Sequence, residues 1–430
     1  MRSSGGFGHS ATAVDVIVIG AGHAGLAMSH VLSEAGVEHT VLERGQVANT
    51  WRRERWPSLT LLSPNWQTRL PGREYSGTDP DGFMTGLELV HLLEDYASDL
   101  PVQTDTTVLS LRYRDGLFQV VTDRGHWRAR AVVLATGACN QPAVPAAAAQ
   151  LPASLHQMTP LDYQRPELLP EGGVLVVGAS ATGLQLAEEI VSCRNPLYLA
   201  VGEHVRMPRH YRGEDIFYWL QRTGIHDQGV NDVDDVGRAR RLPSPQLVGN
   251  AALPMLDLNH LMRSGVNVVG RFAGVRGGEL QFSGSLRNVC ALADLKLQRL
   301  LKQIDLYADK DGAPAAQTFE PTRVPTTPTL TLHPEHAGIR TVLWATGFRP
   351  DYSWLDLPVL DRKGQLQHEG GVLEMPGLYA LGLPLMRRRK SSFIHGIEDD
   401  ARDIARHLRR YLDSDTGRET HELYQNATRG

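Results

Sequence analysis

Two glycine-spaced turns, each set between a short β-branched strand and a helix, predict an α/β protein with two Rossmann-like dinucleotide-binding domains. The first turn is Gly20-Ala-Gly22-His-Ala-Gly25, after Val14 to Ile19. The second is Gly178-Ala-Ser180-Ala-Thr-Gly183, after Val174 to Val177. A third observation concerns their connection. Pro-rich stretches at 141–170 and 312–330 flank the second unit, so it is expected to be inserted into the first domain through two linkers. The expected boundaries are 14–145 with 325–412 for the discontinuous first domain and 165–320 for the inserted one. Tails are expected at 1–13 and 413–430.

The elements follow in order. Leu26 to Ala35 reads as a helix ended by Gly36, and Glu38 to Glu43 as the second strand, which completes a βαβ unit. A loop rich in Trp, Arg and Pro covers Ala48 to Pro80. Helical spacing of Leu89, Leu92, Leu93 and Tyr96 marks Thr85 to Ser98. Val108 to Tyr113 and Leu117 to Thr122 alternate about Asp115-Gly116, a hairpin signal, and Trp127 to Ala135 forms a further strand. After the second turn come a helix from Leu184 and a strand from Pro196 to Val201. Thr341 to Ala345 is a strand ending at Thr346-Gly347, an echo of Ala135-Thr136-Gly137, and it is placed with the first domain. Gly377 to Leu381 is another strand, and Ile397 to Leu412 an amphipathic helix.

Composition narrows the class. The chain has 430 residues, 41% hydrophobic and 21% charged, enough for more than one core. With 44 basic and 48 acidic residues the net charge is −4, which disfavours bulk nucleic-acid or anionic-membrane binding. The apolar stretch 14–28 holds Asp15, three glycines and His23 and does not read as a membrane span. Cys139, Cys193 and Cys290 lie far apart without C-x-x-C spacing. That disfavours zinc and disulfide scaffolds and fits a reducing cytoplasm. Cys139 is expected to be a packed thiol.

In the first turn, Gly20 permits the tight bend, Gly22 lets backbone approach a pyrophosphate, and Gly25 lets helix and strand pack closely. Glu43, 18 residues after Gly25, stands where a carboxylate accepts from ribose hydroxyls. In the second turn Ser180 replaces the middle glycine, and its hydroxyl is a phosphate donor. Position 201, 18 residues after Gly183, is Val rather than an acid. Arg206, Arg209 and Arg212 follow, which favours a 2′-phosphate and hence NADP, while Glu203 speaks for a bare ribose.

The two turns do not stand alone. Beside them are Trp51-Arg52 with Arg55-Trp56, and Pro64-Asn65-Trp66 leading to Leu70-Pro71-Gly72. Asp79 to Thr85, Val176 to Ser180, Pro208 to Ile216 and Ala345 to Tyr352 complete the set. Together they resemble the class B flavoprotein monooxygenases, the group of flavin-containing and Baeyer–Villiger enzymes, from Val14 to about Leu412. The resemblance implies FAD in the first turn and NADPH in the second. It implies hydride transfer to the flavin, a C4a-(hydro)peroxyflavin formed with O2, and insertion of one oxygen atom into a small organic substrate, N- or S-oxygenation being favoured. The alternatives are an electron-transfer reductase and oxygenation of a carbonyl substrate.

The cofactor contacts implied are Gly20, Gly22, His23, Ala24, Gly25, Glu43, Arg44, Trp51, Arg52, Val108, Thr136 and Gly137, then Gly178, Ser180, Ala181, Thr182, Gly183, Arg206, Arg209 and Arg212, and finally Ala345, Thr346, Gly347 and Asp351. By rough matching, Leu62 stands where many flavin-containing monooxygenases have asparagine, and Asn65 or Gln67 is expected to serve instead. His395 lies in a C-terminal loop expected near the flavin ring. The Phe-x-Gly-x-x-x-His signature of the family is lost at Leu151 to His156, and Tyr163 follows seven residues later. The segment 203–262 is expected to fold over the cleft. Arg387 to Lys390 is expected to be a solvated basic run, with anion binding as its alternative. The partners expected are a small-molecule substrate and O2, with a homo-oligomer left open and no nucleic acid, membrane or metal.

Overall fold

The computed structural model describes residues 11–414, and the expected tails lie, but for a few residues, outside them. The chain opens with β1 (Thr12–Ile19), α1 (His23–Glu34) and β2 (His39–Leu42). α2 (Gly86–Tyr96) follows a loop-rich stretch, and β3 (Gly125–Leu134) returns beside β1. A two-residue strand, β4 (Gln141–Pro142), leads to the second unit. That unit begins with β5 (His156–Met158), β6 (Gly173–Val177), α3 (Ala181–Val191) and β7 (Leu197–Val201). It continues with α4 (Ile216–Arg222), β8 (Asn267–Gly270), α5 (Leu286–Ala308) and β9 (Ile339–Trp344). The chain then returns through β10 (Phe348–Arg349), β11 (Leu378–Ala380) and α6 (Ile397–Asp413).

The first sheet has the parallel core β11–β3–β1–β2, extended beyond β2 by Val102–Gln103. The hairpin of Val108–Arg114 and Leu117–Thr122 hangs antiparallel on β3. The second sheet, β5–β9–β6–β7–β8, is parallel throughout. Helices cover these sheets, so the strands are buried on both sides and read as unbroken apolar runs. Val16, Ile17 and Val18 are fully buried, and every residue of β6 is buried. Each such Val or Ile contributes about 1.5–3 kcal/mol relative to exposure. α6 buries Ile397, Ala401, Ile404, Ala405 and Leu408 on one stripe and packs against α1.

β9 corrects the expected boundary. Thr341 to Leu343 pair with Val174 to Val176 of β6 and with β5, so this strand belongs to the second sheet. The sheet also starts earlier than 165, because β5 joins it at His156. Proline-rich composition marked where the chain leaves regular structure, yet each linker holds or precedes one more strand of the inserted domain. The true crossings lie near 141–143 and 346–349, where β4 and β10 pair antiparallel. Ala143 N–H donates to Gly347 O at 2.9 Å, and Thr346 Oγ1 donates to Ala143 O at 2.9 Å.

The stretch 203–262 reaches the first domain. Arg209 Nη1 donates to Leu62 O at 2.9 Å. Val230 N–H donates to Arg387 O, and the N–H groups of Arg389 and Lys390 donate to Gln228 O and His226 O. The basic run is therefore held rather than solvated. Lys390 is buried between Asp227 (2.7 Å) and Asp399 (2.9 Å), and Arg388 pairs with the buried Asp400 at 2.7 Å. Among the described residues, no helix is long and apolar enough to cross a membrane.

Candidate functional site

Both glycine turns are built alike. Gly20 N–H donates to Leu42 O at 2.8 Å, and Gly178 N–H to Ala200 O at 3.0 Å. A Cβ at Gly20 would stand 2.6 Å from Ala135 O, and one at Gly178 2.2 Å from Ala345 O. A Cβ at Gly25 would meet Gly20 O at 1.8 Å, and one at Gly183 would meet Gly178 O at 1.9 Å. Ala135 and Ala345 thus end equivalent strands, and each closes the back of one turn. At Gly22 a Cβ would meet nothing within 4 Å, which leaves the front of the first turn open to a pyrophosphate.

Helix capping separates these two helices from α2, α4 and α6, though α5 likewise starts without a side-chain cap or a first-turn acid. α1 and α3 start at Gly22 and Ser180 with no side-chain cap and no acid in the first turn. α2 has a complete Thr85/Glu88 capping box, α4 is capped by Asp215, and α6 begins with Glu398, Asp399 and Asp400. Uncapped, acid-free N-termini present their N–H groups and positive dipole ends to an anion. The residues present therefore fit phosphate groups at both turns.

Glu43 is buried at the end of β2. Its carboxylate accepts from Ala21 N–H at 2.8 Å and Gly45 N–H at 3.0 Å, which aims it at the mouth of the turn. His23 opens α1. Burial lowers its pKa to about 4, the Ser392 backbone opposing, and its Nε2 has no partner. Ala24 lies where a Cβ at Gly382 would reach it at 2.8 Å, so the loop after β11 closes on the start of α1. Gly382, with φ +79°, is a site residue the sequence reading missed, although a strand followed by glycine was its available signal.

The expected ring-side residues lie on two segments that Arg69 links. Asn65 and Gln67 share a short helical turn and are buried. Asn65 Nδ2 donates to Asp79 O at 2.9 Å, while Asn65 Oδ1 and both amide atoms of Gln67 have no partner. Arg69 Nε donates to His395 O, which joins this turn to the C-terminal loop. His395 is buried 5.4 Å from His226, and Phe217 and Phe393 flank the pair at 5.6 and 5.5 Å. Burial pushes His395 down to about 3 and His226 to about 4, so both rings are neutral near pH 7. His226 was not singled out in the sequence, although its segment 203–262 was expected to fold over the cleft.

Several expected contacts are engaged elsewhere. Arg206 is buried in ion pairs with Asp257 and Asp294, Arg209 with Asp215, and Arg212 with Asp305 and Asp309. The three arginines expected to hold a 2′-phosphate thus hold carboxylates of their own domain. Arg44 pairs with Glu54, and Arg52 with Glu94. Val108 pairs with Thr122 in the hairpin. Asp351 N–H donates to Asn140 Oδ1 at 3.1 Å, and Asn140 Nδ2 to Thr136 O at 2.9 Å, so Asp351 and Thr136 brace the interdomain ribbon beside Gly137. Cys139 is exposed rather than packed.

Two further residues stand at the clefts. The Arg55 guanidinium lies over Trp51 at 5.8 Å and Phe348 at 5.5 Å, which ties the first domain to the returning strand β10. Fully buried Gln246 donates to Ala179 O at 2.8 Å inside the second turn, and its Oε1 has no partner. Ala181 and Thr182 open α3 immediately beyond.

Comparison with known proteins places this geometry. Residues 17–221 match the family described as pyridine nucleotide-disulphide oxidoreductase. An uncharacterized CzcO-like oxidoreductase of Geobacillus kaustophilus is 32% identical over 394 residues, covering 90% of this chain and 96% of that protein. Indole-3-pyruvate monooxygenase YUCCA6 of Arabidopsis thaliana is 28% identical over 219 residues, covering 47% of this chain and 51% of that enzyme. A flavin-containing monooxygenase from Stenotrophomonas maltophilia has the same fold, with a TM-score of 0.65 at 20% identity over 93% of this chain and 99% of that one. From the near-complete match to the Geobacillus protein and the paired nucleotide turns, the chain belongs to the CzcO-like oxidoreductases, enzymes on the two-domain flavoprotein fold that flavin monooxygenases share.

Proposed function

We propose that the protein is an FAD-dependent monooxygenase. It uses a reduced pyridine nucleotide and O2 to transfer one oxygen atom to a small organic substrate, with nitrogen or sulfur nucleophiles favoured. The carrying observation is the pair of matched, uncapped glycine turns, with a buried polar cluster where the segment from the second domain meets the first. Its cysteines favour oxygen over disulfide as the acceptor: Cys139, Cys193 and Cys290 lie far apart in the chain with no C-x-x-C spacing, which disfavours a dithiol relay.

Gly20, Gly22 and Gly25 with the α1 N-terminus would hold the FAD pyrophosphate, and Glu43 the ribose hydroxyls. Asn65, Gln67 and neutral His395 offer unused hydrogen-bonding atoms for the flavin rim and substrate. The bound flavin supplies the redox and O2 chemistry. The chain's own residues orient the reactants and exclude water. The Phe217, His226, His395 and Phe393 rings pack together, and Lys390 pairs with Asp227 and Asp399 beside them. The resemblance favours NADPH as reductant, but Arg206, Arg209 and Arg212 lend it no support.

The test is stoichiometry. The holoenzyme is reduced anaerobically with pyridine nucleotide, mixed with O2 and a panel of amines and thioethers, and followed by flavin absorbance and product analysis. Oxygenated product approaching the nucleotide consumed is expected. Hydrogen peroxide alone with every substrate, alongside fast reduction of a one-electron acceptor, would replace this reading with an electron-transfer reductase.

A further inference from the structure

We propose that Glu203 makes the second crevice select NADH over NADPH, a specificity that rests on reading that crevice as the pyridine-nucleotide site. The matched hydrogen bonds of the two turns give a residue-by-residue register. Leu42 O receives Gly20 N–H and Ala200 O receives Gly178 N–H, so Val201 is the counterpart of Glu43. Val201 is fully buried and offers the ribose neither acceptor nor cation. The next polar side chain on that strand end is Glu203, two residues on, at the carboxyl edge of the parallel sheet where such folds bind nucleotides.

The groups around Glu203 favour hydroxyls over a phosphate. Its Oε1 receives Lys296 Nζ from α5 at 2.8 Å, so the nearest cation is already paired. Arg238 and Arg271 also face this region but are exposed, Arg271 running alongside Gly202. His204, the next residue, is buried, and burial lowers its pKa, so it adds no charge near pH 7. Arg206 is committed to Asp257 and Asp294. A ribose diol can donate to the free acceptor positions of Glu203 without disturbing Lys296. A 2′-phosphate would face the carboxylate, whose nearest cation, Lys296, is already paired with it, while Arg238 and Arg271 are exposed and their charge is screened by solvent.

Titration of the holoenzyme with NAD+ and NADP+ by calorimetry reads this preference without flavin turnover. Anaerobic stopped-flow reduction with NADH and NADPH reads it again. NADH and NAD+ are expected to be favoured by at least about tenfold. Glu203→Gln should narrow the ratio and Glu203→Arg should invert it, each at unchanged FAD content and melting temperature. Equal or tighter NADP+ binding overturns the inference, as does a ratio unmoved by both variants. Preferred NAD+ binding without oxygenated product keeps this inference and removes only the monooxygenase reading. Binding of neither coenzyme removes both.

Discussion

The two glycine crevices share a backbone and differ in side chains. Both are closed behind by an alanine carbonyl, both bring two glycines into contact, and both start helices without side-chain caps. The first has a bare glycine at its centre and a buried carboxylate at its strand end. The second has Ser180 at its centre, buried Val201 at the equivalent strand end, and Gln246 hydrogen-bonded to Ala179 O. The lesson is that the turn recognises pyrophosphate, which every dinucleotide carries, while the strand end decides which dinucleotide is held.

The strongest way to break that comparison is to block one turn at a time. Gly25→Ala and Gly183→Ala place a Cβ 1.8 and 1.9 Å from a backbone oxygen, and each is expected to cost about 3 kcal/mol locally. Flavin absorbance per chain should vanish in the first variant. The second should stay yellow but no longer be bleached by nicotinamide nucleotide. Colour lost from both, or from neither, would deny the division of labour.

The contact between the domains comes next, through pH. His226 and His395 have folded pKa values of about 4 and 3, against about 6.5 in the unfolded chain. As pH falls below about 6.5 the unfolded chain takes up protons that the native rings refuse. Stability is therefore full above that pH and declines by up to about 1.4 kcal/mol per unit per ring, until the folded values are reached. Urea midpoints at pH 7 and pH 5 should show the decline, and His226→Phe should make it shallower.

Smaller effects test the strand end and the turn centre. Glu43→Gln should weaken FAD binding by about 1.5–3 kcal/mol, read as flavin lost on dilution, because a charged acceptor is removed. Ser180→Ala should raise the nucleotide KM by no more than about tenfold and leave FAD content unchanged, since a single neutral hydrogen bond is at stake.

Much of the first crevice was legible in the chain because its parts are local. Gly20, Gly22, Gly25 and Glu43 lie within one βαβ unit, so their spacing alone specifies their geometry. The arginines show the opposite case. Arg206, Arg209 and Arg212 follow the second unit at a distance suited to a 2′-phosphate. Arg209 meets Asp215 six residues on, but the partners of Arg206 and Arg212, namely Asp257, Asp294, Asp305 and Asp309, come from 51 to 97 residues further on, and only packing reveals that their charge is already met. His395 was traceable through a family likeness, whereas His226 and Gln246 were not singled out, although their segment 203–262 was expected to fold over the cleft.

Strand order follows the same division. Runs of β-branched residues announced the buried strands, and the pairing of linkers announced an insertion. Whether Ile339–Trp344 joins the first sheet or the second could not be read from its composition, since Ala345-Thr-Gly and Ala135-Thr-Gly carry the same local signal. The decision came from hydrogen bonds to Gly173–Val177, a partner more than 160 residues away. Local spacing dictates turns and helix starts because their energetics are local. Neighbours across a sheet, buried ion pairs and the rings packed between the domains are set by contacts that exist only once the chain has folded.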